Sequence, residues 1–371
     1  MIRWTLHVQR LVMVLGLLVG MSPTVWSASP STVITQEQQS RIETRHEQHL
    51  EEAEDRTDLF QPSTFQPTTK ASPEQTEQVR SRKWNVKTRW SWTAADETNP
   101  NLSQAHQSAL STEEYAGFTF SYRLHPQLTW ETGYSGNALN YNEFTDLSTF
   151  TNSLTTKLSW RMAPPLRIEA RYTFEDTSYP YDREASTWAQ TVHVRVRHDF
   201  LTRYYHAIGW SYLNRQYQDQ ATLDSHDDAI PGKYRKDQRH AGLYELGGTV
   251  GEHTTCKIRQ KVSFHQSNAA FQDFYDAVDY QVKLIGRHEW TAYWSSVGSV
   301  LYELKRYAGR QLPDRAVVER DHAMTYQLGL TYRLSPDVSL AYTWQYVRQR
   351  SNEPTETFGD ITNSLALTAA F

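Results

Sequence analysis

Apolar and polar residues alternate along the carboxyl-terminal part of the chain. Over 324–334 every second residue is large and apolar, whereas the residues between them, such as Gln327 and Thr331, are small or polar. The alternation returns over 338–346 and again over 361–371. A period of two places one residue type on each face of a β-strand. The pattern therefore predicts three consecutive strands, each with one apolar and one polar face.

The same alternation recurs from residue 82 to the end of the chain and predicts an all-β fold. The predicted strands number fourteen: 82–94, 115–124, 127–139, 150–163, 165–178, 187–200, 203–218, 237–252, 255–267, 275–288, 291–307, 319–334, 337–350 and 360–371. Short turns follow the even-numbered strands, and longer polar loops follow the odd-numbered ones, of which 219–236 is the longest. Unequal ends of this kind are typical of a barrel that crosses a membrane.

The first 81 residues differ from the rest of the chain. Arg3 and Arg10 precede a short apolar run, and small residues near Ser27 follow it. This order predicts a signal peptide over 1–27. Residues 28–81 are rich in Gln, Glu, Thr and Pro and poor in aromatics, so they predict a polar, mostly disordered or helical periplasmic leader. The alternatives for this leader are a lumen plug, a contact for a periplasmic partner, an oligomerisation helix or a disordered segment.

Composition narrows the function classes. Mean hydropathy is −0.69 and no apolar run after residue 27 is long enough for a spanning helix, which argues against a helical membrane protein. Aromatic residues still make up 13% of the chain, as expected for the interfacial girdles of a barrel. The net charge of −4 and the lack of a glycine-rich phosphate motif predict neither a nucleic-acid partner nor a cofactor. The single Cys256 leaves no internal disulfide.

The carboxyl-terminal strand, ending in Phe371, and the fourteen-strand layout resemble Gram-negative outer-membrane β-barrel proteins of the porin-like type. The resemblance implies a transmembrane antiparallel up-and-down barrel over 82–371, surrounded by outer-membrane lipid. It also implies that the last strand and Phe371 are recognised by the barrel-insertion machinery. A soluble sandwich or lipocalin-like barrel is the alternative. Strands this long, with Arg, Lys and Glu repeated along the polar face, favour a water-filled lumen over a soluble exterior.

If the apolar faces point outward, the polar faces line the lumen, and their bases exceed their acids. The residues predicted to line the pore and meet a ligand are Arg167, Arg171, Arg195, Arg197, Lys257, Arg259, Lys261 and Lys283. Like charges in a narrow channel concentrate ions of opposite sign, so this wall predicts a preference for anions. The alternative is a structural ladder in which Glu169 and Glu175 neutralise Arg195 and Arg197.

The function predicted from these patterns is passive passage of small anionic solutes or acidic saccharides through an outer-membrane channel. The alternative is a non-enzymatic barrel component of a secretion or assembly complex that engages its partner through 28–81. No catalytic residue is predicted, because the strand pattern pairs no Ser with a His and no two carboxylates. No metal site is predicted either, since His193 and His265 fall on non-adjacent strands.

Overall fold

A computed structural model describes residues 83–99, 108–201, 203–224, 229–269, 276–311, 317–353 and 356–371. The signal peptide predicted for 1–27 and the leader predicted for 28–81 lie outside these residues. The strands are β1 (Trp84–Glu97), β2 (Ala109–His125), β3 (Leu128–Tyr141), β4 (Thr149–Ala163), β5 (Leu166–Ser178), β6 (Thr187–Phe200), β7 (Tyr204–Leu223), β8 (Ala229–Val250), β9 (Thr254–Ser267), β10 (Ala277–Glu289), β11 (Trp294–Gln311), β12 (Val318–Arg333), β13 (Val338–Ser351) and β14 (Phe358–Ala370). A short 3₁₀ turn occupies Thr145–Leu147.

The strands close into one antiparallel up-and-down barrel of fourteen strands, as the alternation predicted. Each strand pairs with its sequence neighbours, and β1 closes the sheet against β14 from Arg89 opposite Ala370 to Glu97 opposite Thr362. Phe371 extends this seam, because its N–H and C=O both bond to the backbone of Thr88 at 2.9 Å. Closure satisfies the backbone hydrogen bonds of the strands, which a sheet surrounded by lipid requires.

Odd-numbered residues of β1 to β13 face the interior along the regularly paired parts of the strands, and even-numbered residues do so in β14. The burial pattern shows this, since interior Ser263 is fully buried whereas outward Leu328 on β12 is 60% exposed. The outward apolar set of β12 covers the eleven residues 324–334. At ordinary strand rise and tilt this stretch is about 26 Å tall, which matches the apolar band of outer-membrane barrels.

The two ends of the barrel differ. Short turns join β2 to β3, β4 to β5, β6 to β7, β8 to β9, β10 to β11 and β12 to β13 at one end, here called the turn end. In the turn after β8, Gly251 has a φ of +73°, a left-handed conformation that favours glycine. Near the turn end, Trp84, Tyr122 and Trp130 stand directly opposite one another on the outer faces of three neighbouring strands and form part of an aromatic girdle. The turn end is the periplasmic end in outer-membrane barrels.

The connection between β7 and β8 corrects the sequence prediction. Residues 219–236 were predicted to be a polar loop, but β7 continues to Leu223 and β8 begins at Ala229. The hairpin carries two register irregularities, between Gln216 and Ala221 and between Ala221 and Leu223. Beyond the lipid both faces of a strand meet water, so backbone pairing continues there without apolar alternation. No helix among the described residues has the length and apolar character to cross a membrane.

Candidate functional site

Three arginines stand side by side on the inner face at the turn end. Arg161 of β4 lies directly opposite Arg167 of β5, and Arg167 lies directly opposite Arg197 of β6. We call Arg161, Arg167 and Arg197 the arginine row. Side chains at such positions have Cβ atoms about 5 Å apart, and like charges there repel one another. Local structure places them together, because the turn after β4 sets the register of β4 and β5.

Only one member of the arginine row has a carboxylate partner among the described residues. Arg197 donates from Nε to Asp199 Oδ1 at 2.7 Å, and its guanidinium lies 3.7 Å from the centre of the Tyr205 ring. Arg161 is exposed and Arg167 half-buried, and within the described part of the chain neither side chain has a hydrogen bond or an ion pair. Two neighbouring guanidinium groups therefore face the lumen without an ion pair, and Glu169, the next inward residue of β5, is directly opposite Arg195 and not opposite either of them.

Arg171 adds a further charge two inward positions above this row on β5, beyond Glu169. It lies opposite Lys157 on one side and His193 on the other. Lys157 forms an ion pair with Glu131 on β3. Arg171 itself has no side-chain partner among the residues that the structure describes. The inner wall of β4 and β5 thus carries three bases, Arg161, Arg167 and Arg171, whose hydrogen-bond donors remain available to a solute.

Glu245 of β8 organises the neighbouring part of the wall. Its side chain is only 2% exposed and receives Arg195 Nη2 at 2.5 Å on Oε1 and Arg259 Nη2 at 3.1 Å on Oε2. Tyr205 donates its hydroxyl to Oε1 at 2.7 Å. One buried carboxylate therefore accepts from two guanidinium groups and a phenol on three different strands.

The structure corrects the ladder alternative suggested by the sequence. Glu169 is directly opposite Arg195, yet Arg195 bonds across β7 to Glu245. The residues of β7 at these heights are Ala207 and Gly209, and a Cβ on Gly209 would lie 3.2 Å from His193 Nε2. Because the inward residues of β7 are small there, an arginine on β6 can reach across β7 to β8, a distance of two strand spacings or about 10 Å.

The remaining predicted pore-lining residues lie on the inner faces of β9 and β10. Lys257 is opposite Ile285, Lys261 is opposite Gln281, and Lys283 is directly opposite Arg259. Arg259 is already bonded to Glu245, so the structure separates it from the bases of β4 and β5 that lack an ion pair among the described residues. That any of these lysines meets a ligand stays a prediction.

Acidic side chains gather on the inner face at the opposite, loop end of the barrel. Glu97, Glu319, Asp321 and Asp360 are all buried there. Glu97 accepts from Ser111 Oγ at 3.1 Å and Tyr141 Oη at 3.0 Å, and Arg310 Nη1 lies 3.3 Å from Glu319 Oε1. These acids are not among the lumen residues predicted from the sequence. The interior therefore has buried acids at the loop end and, toward the turn end, Arg161, Arg167 and Arg171 without an ion pair among the described residues, with Glu169 between two of them.

Two loops pack against the inner face at the loop end. Ala109, Tyr141, Leu147, Tyr179 and Ala185 form a buried apolar cluster there. Within the loop that joins β5 to β6, Asp182 Oδ1 accepts from the N–H groups of Glu184 at 3.1 Å and Ala185 at 3.3 Å. Burial raises the pKa of the Asp182 carboxyl above its ordinary value. These contacts hold the loop in a defined conformation above the lumen.

No family model matches this chain. No curated protein matches it either. Among solved structures, an outer-membrane-expressed OmpT of Vibrio cholerae has a TM-score of 0.48 at 8% identity, with 78% of this chain and 99% of that chain covered. The outer-membrane channel DcaP of Acinetobacter baumannii has a TM-score of 0.49 at 8% identity over 78% and 97% of the two chains. An anion-selective porin from Comamonas acidovorans has a TM-score of 0.45 at 10% identity over 78% and 99%.

The closed barrel, its apolar outer band and its unequal ends are those of a protein of the Gram-negative outer membrane. Phe371 ends the last strand at the turn end with its ring on the outer face, 42% exposed. Its recognition by the insertion machinery stays a prediction. Among the described residues, no group of three or more His, Cys, Asp or Glu side chains is arranged to hold a metal ion.

Proposed function

We propose that this barrel is a passive channel for small anionic solutes, organic acids and acidic saccharides among them. The observation that carries the proposal is the set of bases without a side-chain partner among the described residues on the inner face toward the turn end, Arg161, Arg167 and Arg171, which outnumber Glu169 beside them. A planar guanidinium binds carboxylate or phosphate oxygens through two parallel hydrogen bonds. An anion between Arg161 and Arg167 would also relieve the repulsion between them.

Contact of these side chains with water favours transient binding of an anion during passage over permanent binding. Ion pairs in contact with water are worth about 1 kcal/mol or less. Arg161 is exposed and Arg167 and Arg171 are only half-buried, so an anion that they hold can leave again. The barrel is also wide enough for passage. Fourteen strands at ordinary spacing and tilt give a backbone diameter of about 28 Å. Side chains from opposite walls leave room for water and small solutes in such a barrel.

The test is reversal potential in a planar bilayer under a salt gradient. We would compare the chain lacking 1–27, the chain starting at Ser81, and the triple variant R161Q/R167Q/R171Q. The proposal expects steady, anion-selective conductance from both parent chains and a shift toward cations in the triple variant. The control is R320Q/R348Q, because these arginines lie on the outer face and their loss leaves the lumen unchanged. An unchanged reversal potential in the triple variant would refute the anion assignment.

The same measurement separates the second candidate, a secretion or assembly component engaged through 28–81. That segment lies outside the described residues, so its contribution must come from the comparison of the two chain lengths. Conductance only after removal of the leader would make 28–81 a plug. Absence of conductance in both chains, with the barrel folded, would favour the assembly component over the channel.

A further inference from the structure

A second group of arginines lies on the outside of the barrel, near the loop ends of β11, β12 and β13. Its members are Arg306, Arg320, Arg348 and Arg350, which we call the outer arginine patch. All four side chains are exposed, and no ion pair or side-chain hydrogen bond involves them within the described ranges. The channel proposal makes no use of these residues.

Strand register makes the patch continuous. Arg306 is directly opposite Arg320, Arg350 is directly opposite His322, and Arg348 is directly opposite Met324. Like charges at opposed positions cost stability unless an anion lies between them. His322 cannot supply one, because its imidazole is neutral or cationic; its Nδ1 lies 3.0 Å from the Tyr302 hydroxyl. The three strands therefore present a basic surface with no acidic residue inside it.

The acids nearest along the chain face the other way. Glu319 and Asp321 flank Arg320 in sequence, but both are buried on the inner face. On β13, Val347 and Gln349 are buried inward at 4% and 6% exposure, whereas Arg348 and Arg350 between them are exposed. The strand alternation thus separates the acidic interior from the basic exterior across a single sheet thickness.

The height of the patch points to its environment. Below it the outer face is apolar, with Leu304 under Arg306 on β11, Tyr346 under Arg348 on β13, and Met324 on β12 after the intervening His322. An arginine on the lipid face costs about 2–4 kcal/mol at the bilayer midplane and roughly 0–1 kcal/mol near the interface. Four arginines are tolerated together only at the headgroup level. Arg348 is level with Met324, the uppermost residue of the apolar band 324–334, and the other three lie above the band.

We propose that the outer arginine patch binds the phosphate groups of lipid headgroups in the leaflet facing the cell exterior. Each guanidinium can hold two phosphate oxygens, and a phosphate between Arg306 and Arg320 would neutralise that opposed pair. The apolar surface directly below packs against the acyl chains of the same lipid. Charge complementarity and this height select a phosphorylated lipid over a protein partner.

The test uses purified protein in detergent with a defined lipid added. The lipids are diphosphoryl lipid A, the same lipid without phosphates, and phosphatidylcholine, and the readout is the unfolding midpoint at increasing lipid concentration. Diphosphoryl lipid A should raise the midpoint of the parent chain more than the other two lipids do. In R306Q/R320Q/R348Q/R350Q its apparent affinity should fall at least about tenfold, since each basic group near an anionic surface contributes on the order of a factor of five. The fourfold Arg→Lys variant, which keeps charge without the planar fork, should lie between them.

R161Q/R167Q is the matched control, because it removes arginines from the inner face and should keep the parent's response. A cooperative transition with a lipid-free midpoint no lower than the parent's will show that the fourfold Gln variant is folded, since loss of the repulsion between Arg306 and Arg320 can only raise it. Equal protection by the phosphate-free lipid, or by inorganic phosphate at the same concentration, would overturn the proposal. The proposal would also be overturned if the parent chain were oligomeric, the fourfold Gln variant were monomeric, and both responded equally to diphosphoryl lipid A. The patch would then be a contact between copies of this chain.

Discussion

Replacement of Glu245 by Gln tests whether the inner wall depends on one buried carboxylate. Glu245 accepts from Arg195, Arg259 and Tyr205 and is 2% exposed. Gln keeps the shape and one acceptor oxygen but removes the charge. The two guanidinium groups that share this carboxylate, Arg195 of β6 and Arg259 of β9, would then face each other across β7 and β8 without it.

The expected loss follows from how deeply each group is buried. Removing one partner of a fully buried ion pair costs about 3–5 kcal/mol, because the other charge stays buried without compensation. Here the side chains of Arg195 and Arg259 are each 18% exposed, so water screens part of the repulsion between them. We therefore expect Glu245→Gln to lower the free energy of unfolding by about 2–3 kcal/mol.

The assay is reversible urea unfolding of the barrel in lipid vesicles, followed by tryptophan fluorescence. The matched control is Glu131→Gln, which removes a carboxylate from another inner-face ion pair, with Lys157. That pair is more open, at 30% and 21% exposure, so its loss should cost less than about 1 kcal/mol. Adding R195Q and R259Q to Glu245→Gln should recover most of the loss, because no buried charge is then left.

The reasoning would be refuted by a Glu245→Gln loss no larger than that of Glu131→Gln. It would also be refuted if the triple variant were less stable than Glu245→Gln alone, since repulsion between the arginines could not then be the cause. Non-additivity is expected here, because all three residues belong to one network.

Three further predictions concern other parts of the barrel. Burial raises the pKa of Asp182, so the loop that joins β5 to β6 should be most stable below the ordinary Asp pKa and should lose stability as pH rises through the raised value. Asp182→Asn should abolish this decline. The measurement is amide exchange of Glu184 and Ala185 between about pH 4 and 7. The axial separation of bases and acids should make the channel rectify, with unequal currents at equal positive and negative voltages, and R161Q/R167Q/R171Q should reduce the inequality. Phe371→Ala should slow insertion by the cellular machinery while leaving the conductance of the folded barrel unchanged, and equal insertion rates would contradict the predicted targeting role.

Within the membrane, strand positions followed from the sequence because lipid and lumen impose opposite demands on alternate residues. The sixth strand was predicted at 187–200 and is observed there as β6. The prediction failed at 219–236, where β7 and β8 extend beyond the apolar band. Neither face of a strand meets lipid at that height, so the polarity of the residues no longer reports their direction. Backbone hydrogen bonds continue the hairpin, and these are invisible to a pattern of side chains.

The same limit explains why the candidate site was predicted only in part. Alternation placed Arg167 and Arg171 on the polar face, but it cannot show which base has a carboxylate within reach. Arg195 was expected to pair with its neighbour Glu169, and its actual partner is decided by the small size of Gly209 on the intervening strand. Which ion pairs form in the lumen therefore depends on the size of the side chains between two charged residues as well as on the charged residues themselves. We expect a solute to meet the bases that have no side-chain partner in the described part of the chain, so Arg161, Arg167 and Arg171 are where selectivity should be tested before the three bases of β9.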